Sequence, residues 1–137
     1  MNLETRVLLR SEQTGGMTAV VENTLPPNFE GPPLHLHDFD EAFYVLDGEV
    51  TFLLNGETQL GRPGELVFAP RCVPHTLANH SPSPARYLLI CSPAGFERYF
   101  DAIAAANLGL AAPEEAAKPY PPTVVLGPPL ATVEDAP

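Results

Sequence analysis

The sequence predicts an all-β domain, an antiparallel sandwich or barrel, with one helix near its C-terminal end. Its 137 residues include 17 prolines and 10 glycines, and breakers this dense favour many short strands over long helices. As far as Cys91 the apolar residues fall into short, regularly spaced runs divided by turn signals, the pattern of an all-β fold. Hydrophobic residues make up 45% and charged residues 18% of the chain, which places it among globular rather than disordered sequences.

Thr5–Arg10 and Met17–Thr24 are β-rich runs separated by Gly15-Gly16. Glu41–Leu46 and Glu49–Leu54 flank Asp47-Gly48, a hairpin signal because both residues tolerate positive φ. Asn55-Gly56 is a second such turn and leads into Thr58–Leu60; Leu66–Phe68, Thr76–Asn79 and Arg86–Cys91 complete the set. The texture then changes. Ser92-Pro93 reads as an N-cap with proline in the first turn, and Phe96, Tyr99, Phe100 and Ile103 recur at helical spacing before Gly109. The spacing predicts one amphipathic helix over about 94–107, its aromatic stripe facing the core. The sequence divides into a barrel domain over 1–112, including that helix, and a Pro-rich tail over 113–137. For Val124–Leu126 in the tail two readings stand: a return to a sheet edge, or a mobile extension.

A formal net charge of −10, with only seven basic residues scattered along the chain, argues against nucleic acid or an anionic membrane surface as partner. No apolar run approaches the roughly 20 residues of a membrane span, and no signal peptide is evident around the short patch Val7–Leu9. Two cysteines, Cys72 and Cys91, are too few for a disulfide framework. The expectation is a cytoplasmic protein with reduced thiols.

The chemistry is concentrated in four residues. His35 and His37 are two apart, so on a strand they share a face, and Glu41 keeps the same parity if the strand is uninterrupted. Two imidazoles and a carboxylate suit a divalent transition metal. His75 follows the turn-rich Pro70-Arg71-Cys72-Val73-Pro74, which returns the chain across the sheet and offers a third nitrogen. Burying these groups without a cation leaves them poorly satisfied, so one divalent ion is expected, with Fe, Ni, Mn, Cu and Zn all compatible. His80 has the opposite parity to His75 and falls outside. Phe43 and Val45 share Glu41's parity and are expected to line a substrate pocket, whereas Tyr44 points outward. Phe29 and Phe39 flank the His-x-His pair, at the pocket mouth or in packing.

These residues carry a family resemblance. Gly31-Pro-Pro-Leu-His35-Leu-His37-Asp-Phe-Asp-Glu41 with Gly48 resembles the first cupin motif, and Gly64, Pro70, His75 and Asn79 resemble the second. The resemblance implies a single antiparallel β-barrel of the double-sheet jelly-roll kind, with His35, His37, Glu41 and His75 as metal ligands and one or two positions open. Gly48, Gly64, Pro70 and Asn79 take structural roles. Gly31 sits closer to His35 than the leading glycine of the pattern, and Cys72 stands where the second motif has glycine. If that turn needs positive φ, cysteine costs about 1 kcal/mol or more; it is expected either as a small buried loop residue or, in a relaxed turn, with its thiol near the metal. The sequence Glu-x-Phe-Tyr-Val-Leu-x-Gly and the segment Ser-Pro-x-Gly-Phe-Glu further resemble small quercetinase-like proteins. That likeness implies a dioxygenase acting on a small enol or phenol, with Glu41 as proton acceptor. A non-redox isomerase, lyase or decarboxylase and a non-catalytic small-molecule binder are the alternatives. The resemblance also implies a homodimer in which strands such as Thr5–Arg10 join the neighbour's sheet.

Overall fold

The computed structural model describes residues 2–110 and 123–130. Over the described residues the order is β1 (Glu4–Leu9), α1 (Ser11–Thr14), β2 (Ala19–Leu25), β3 (Pro33–Leu36), β4 (Asp40–Asp47) and β5 (Val50–Leu54). Then come β6 (Glu57–Gly61), β7 (Leu66–Ala69), β8 (His75–Ala78), β9 (Ala85–Ser92), α2 (Glu97–Asn107) and β10 (Val124–Pro129). The strands form two antiparallel five-stranded sheets, ordered β1-β2-β9-β4-β7 and β10-β3-β8-β5-β6, the all-β jelly roll that the sequence predicts.

Alternation fixes which faces meet. Along β2 every second residue from Ala19 to Leu25 is buried, and β9 buries Ala85, Tyr87, Leu89 and Cys91. Phe43 and Val45 on β4 face Val50 and Phe52 on β5 and Leu77 on β8 across one core. A side chain of period two allows only one register to put all these residues inside. Asn55 and Gly56 both adopt positive φ in the β5–β6 turn, as the hairpin signal requires. Asn79 pins the loops beneath the core: its amide nitrogen donates to the carbonyls of Pro26 and Ser83 at 3.1 and 2.8 Å, and its oxygen accepts from Ser81 N–H at 3.0 Å.

Several elements differ from the sequence reading. Between β1 and β2 the chain forms the short helix α1, closed by Gly15 in the left-handed region; four residues are too few to show periodicity. The second helix begins at Glu97 with Phe96 at its N-cap, so Ser92 is not the cap. Instead Ser92 ends β9, and Glu97 accepts from the N–H groups of Ser11 and Gly95, each at 2.7 Å, and from the Ser11 hydroxyl. That buried carboxylate ties the start of α2 to α1. Of the two readings for Val124–Leu126, a sheet edge is found: β10 pairs with β3, Val125 facing His35. The rest of the Pro-rich tail lies outside the described residues. No helix of the described residues is long and apolar enough to cross a membrane.

Cys72 corrects both expectations made for it. It is exposed, its thiol lies 3.6 Å from Asp38 Oδ1 and away from the His/Glu cluster, and its φ is +63°. The backbone keeps the glycine-type turn because Cys72 N–H donates to the His37 carbonyl at 2.7 Å. Cys72→Gly is therefore expected to stabilise the protein by about 1 kcal/mol, since the side chain gains no core packing for its left-handed strain. Chemical denaturation of the two proteins checks this; an unchanged or lowered midpoint contradicts it.

Candidate metal centre

The site assembles from both sheets. His35 on β3 and His75 on β8 are register partners in one sheet, whereas Glu41 on β4 belongs to the other. Strand β3 stops at Leu36, and residues 37–39 carry the chain from one sheet to the next. The strand interruption thus falls between His35 and Glu41, yet both point into the interior. His37 sits on the crossing. It is buried, and its ring stacks flat on Phe39, with centroids 3.7 Å apart and planes 5° apart. Phe96, entering α2, contacts both rings at 5.6 and 5.0 Å.

One ligand atom from each of His35, His37, Glu41 and His75 falls within 4.8 Å of every other. The Nδ1 atoms of His35 and His75 lie 2.7 and 2.9 Å from the carbonyls of Pro33 and Val73. A carbonyl only accepts, so these nitrogens carry protons and both Nε2 atoms are turned toward the cluster. Glu41 Oε1 stands 2.6 Å from His37 Nε2 and 2.8 Å from His75 Nε2. The His75 contact is an aligned hydrogen bond. The His37 approach is out of line for one, and both of its buried ring nitrogens lack a hydrogen-bond partner. A buried imidazole without a partner costs stability unless something else satisfies it. Three nitrogens and one carboxylate oxygen converging on one point are a donor set suited to a divalent transition ion.

The electrostatics agree. Burial alone raises Glu41, but His37 and His75 beside it outweigh that and hold the carboxyl at about 2, ionised throughout the working range. For His75 burial works downward, and the Glu41 carboxylate reverses it, leaving the imidazole above its ordinary value. His35 goes the other way. Burial pushes it from 6.5 to about 4, His75 and His37 adding to the fall while Pro33 and Glu41 oppose it. Its folded value lies below the unfolded one, so its contribution to stability is complete above 6.5 and is lost as the pH falls through this interval. The metal-free protein is expected to lose melting temperature between pH 6.5 and about 4. In His35→Gln that loss should be shallower; equal slopes would contradict the assignment.

A cavity of about 560 Å³ opens beside the cluster, and His35, Glu41 and His75 form part of its wall. Phe29 and Phe43 line it as the sequence suggests; Val45 does not, being wholly buried in the core with Tyr87 as its partner on β9. Tyr44 is exposed, and His80 is exposed and outside the cluster. The stripe Phe96, Tyr99, Phe100 and Ile103, expected only to pack α2, forms one wall of the cavity. Helical periodicity shows that a face is covered and not what covers it. Leu25, Tyr87 and Leu89 also line the cavity; on β9 the unbroken run Tyr-Leu-Leu-Ile hides which residues face in. Among the described lining residues there is no lysine or arginine.

Fold and site together define a double-stranded β-jelly roll with a His₃Glu cluster open to an aromatic cavity. Residues 21–91, just over half of the chain, match the family model for the Cupin domain, and the chain belongs to the cupin family. Among solved structures it is similar to the TT1209 protein of Thermus thermophilus, at 29% identity over 67% of this chain and 84% of that one, TM-score 0.60. A predicted oxalate decarboxylase from Thermotoga maritima gives 25% identity over 66% and 80%, TM-score 0.63. The polyketide cyclase RemF of Streptomyces resistomycificus gives 27% identity, TM-score 0.59, over 66% of this chain but 65% of the cyclase, so under two thirds of that protein is spanned. No curated protein matches.

Proposed function

We propose that this cupin is a metal-dependent dioxygenase of the quercetinase-like kind, acting on an enol or phenol whose rings occupy the aromatic cavity. The observation that carries the reading is the junction of the two parts: the cluster presents an ionised carboxylate and two of its three imidazoles, His35 and His75, in the wall of a cavity also lined by Phe29, Phe43, Phe96, Phe100 and Tyr99. His35, His37, Glu41 and His75 would hold the ion, which supplies a Lewis-acidic or redox-active centre with room for an exogenous oxygen donor. The chain's own part is to strip water from the substrate, stack its rings and accept its proton. Glu41, buried and ionised, would accept the enol proton, a transfer made favourable only where binding of the hydroxyl oxygen to the ion lowers the hydroxyl's own pKa. O₂ then adds to the electron-rich enolate carbon, and both of its oxygen atoms end in the product. A small dicarboxylate could chelate the ion but would leave the aromatic wall unfilled, so the lining favours a ring-bearing substrate.

Oxygen uptake by the metal-loaded protein across a panel of phenols and enols tests the proposal. Uptake that depends on Glu41 supports it, and none across the panel rules it out. The likeness to a polyketide cyclase favours one second reading, a non-redox reaction on the same class of substrate in which the ion polarises a carbonyl. Turnover without O₂, kept with a redox-inert ion, distinguishes it. A ligand recovered unchanged would instead mark a binding protein.

Two further expectations belong to this reading. The cysteines are unpaired, Cys72 at the surface and Cys91 in the core, which supports a reducing, cytoplasmic setting. Strand β1 is a sheet edge, and Leu8, Tyr44, Leu66 and Phe68 are exposed on the outer face of that sheet. A second copy pairing along β1 would cover that edge, the exposed side chains of β4 and β7 lying toward the opposite edge, and sedimentation showing only monomer at micromolar concentration would exclude that homodimer.

A further inference from the structure

The wall of the cavity includes a buried tyrosine whose hydroxyl neither the cluster nor the core requires. Tyr87 lines the cavity, and its hydroxyl oxygen accepts from Asn23 Nδ2 at 3.1 Å. Among the described residues no partner accepts the hydroxyl hydrogen, and the Asn23 oxygen, on a side chain wholly removed from solvent, has no partner either. Turning the amide over only exchanges which of its atoms is left without one. Asn23 lies behind the wall, across from Thr5 on β1, whose buried hydroxyl also lacks a partner; on the wall itself Tyr87 has apolar neighbours, Leu25, Leu89 and the Phe43 ring at 5.7 Å. Burial raises the Tyr87 hydroxyl further above its ordinary value, so it remains a donor. Rotation of the Thr5 hydroxyl can serve Asn23, whereas the Tyr87 hydroxyl hydrogen, on a residue of the cavity wall, stays without an acceptor unless a bound molecule supplies one.

We propose that the Tyr87 hydroxyl, oriented by Asn23, is a second binding subsite of the cavity. It selects an uncharged, multi-ring aromatic ligand with one oxygen directed to the His/Glu cluster and another at its far end. The spacing follows from the register. On β9, Tyr87 faces Val45 and Cys91 faces Glu41, and four residues of strand separate the two rows by about 13 Å. The Phe43 ring stands between the two rows, 5.7 Å from the Tyr87 ring and 6.4 Å from the His75 ring, and a flat ligand of two fused rings lying against it would span them. The absence of lysine and arginine from the described wall rules against an anionic far end, since a carboxylate or phosphate there would be desolvated without a counter-charge. This subsite rests on the reading of the cavity as the substrate site. It is independent of which reaction follows.

The test is calorimetric binding to the purified full chain under argon, with 2,6-dihydroxynaphthalene, 2-naphthol and malonate as probes. The wild-type protein is expected to bind the diol about three- to tenfold more tightly than 2-naphthol, the scale of one net hydrogen bond, and malonate more weakly than either. Tyr87→Phe should remove the preference, weakening the diol about three- to tenfold while leaving 2-naphthol within about twofold. A purely structural role for Tyr87 would weaken both probes alike, which would overturn the proposal; so would equal wild-type affinities, or malonate binding in place of the naphthols. If Tyr87→Phe fails to fold, the wild-type comparison decides alone. Because no oxygen is present, a failed uptake screen leaves this result standing, and a lost preference leaves the reaction class untouched.

Discussion

Gly31→Ala is expected to destabilise the protein by about 3 kcal/mol or more, a fall of roughly 10 °C or more in melting temperature. Gly31 has φ +81°, and a Cβ on it would stand 1.8 Å from the Leu77 carbonyl oxygen and 2.9 Å from its carbon. Both are backbone atoms of β8, so no side chain can swing aside. Relief requires β8 to move, and β8 carries His75 opposite His35. The variant should therefore lose metal affinity together with stability. Gly64→Ala is the control: φ is +88° there, but nothing lies within 4 Å of the added carbon, so only the backbone strain of about 1 kcal/mol applies. Thermal melts of the two variants measure the difference. Equal losses would mean that the close approach of residue 31 to β8 is misplaced.

Glu41→Gln is expected to weaken divalent-metal binding by about 100-fold or more, beyond the effect usual for a residue that only supports a ligand. The amide supplies no negative charge and still occupies the carboxylate's place, so the packing around Phe43 and Cys91 is kept. A second readout separates lost charge from general disruption. In the metal-free protein His75 is raised because the Glu41 carboxylate overrides burial. With glutamine there, burial, the largest influence, is opposed only by the Val73 carbonyl, and the His75 imidazole should titrate below its ordinary value of 6.5. Histidine ring NMR follows both states. An unchanged His75 titration would show that the carboxylate is not its partner.

Much of this site was legible in the sequence because period two is strict. His35, Glu41 and His75 face inward as spacing and motif imply, and Phe43 reaches the cavity by the same rule. Glu41 faces inward for a different reason from the one that motivated the expectation. The strand breaks after Leu36, and the crossing through His37 and Phe39 restores inward facing on the opposite sheet. Val45 shows where parity stops: it is inward, but beyond the cavity in close-packed core. Tyr87 and the α2 stripe were illegible as cavity walls because apolar runs and helical faces show burial, not what they are buried against. Cys72 was misjudged because glycine in such a turn is chosen for φ and not for space, so a side chain there projects into solvent.

Elemental analysis of the purified, untagged full chain, beside His35→Ala and His75→Ala, determines whether His35, His37, Glu41 and His75 together hold one metal ion. About one equivalent of a divalent transition metal per chain is expected, lost from both variants while their folded cores persist by circular dichroism. No bound metal after reloading, or full occupancy retained in His75→Ala, would contradict it.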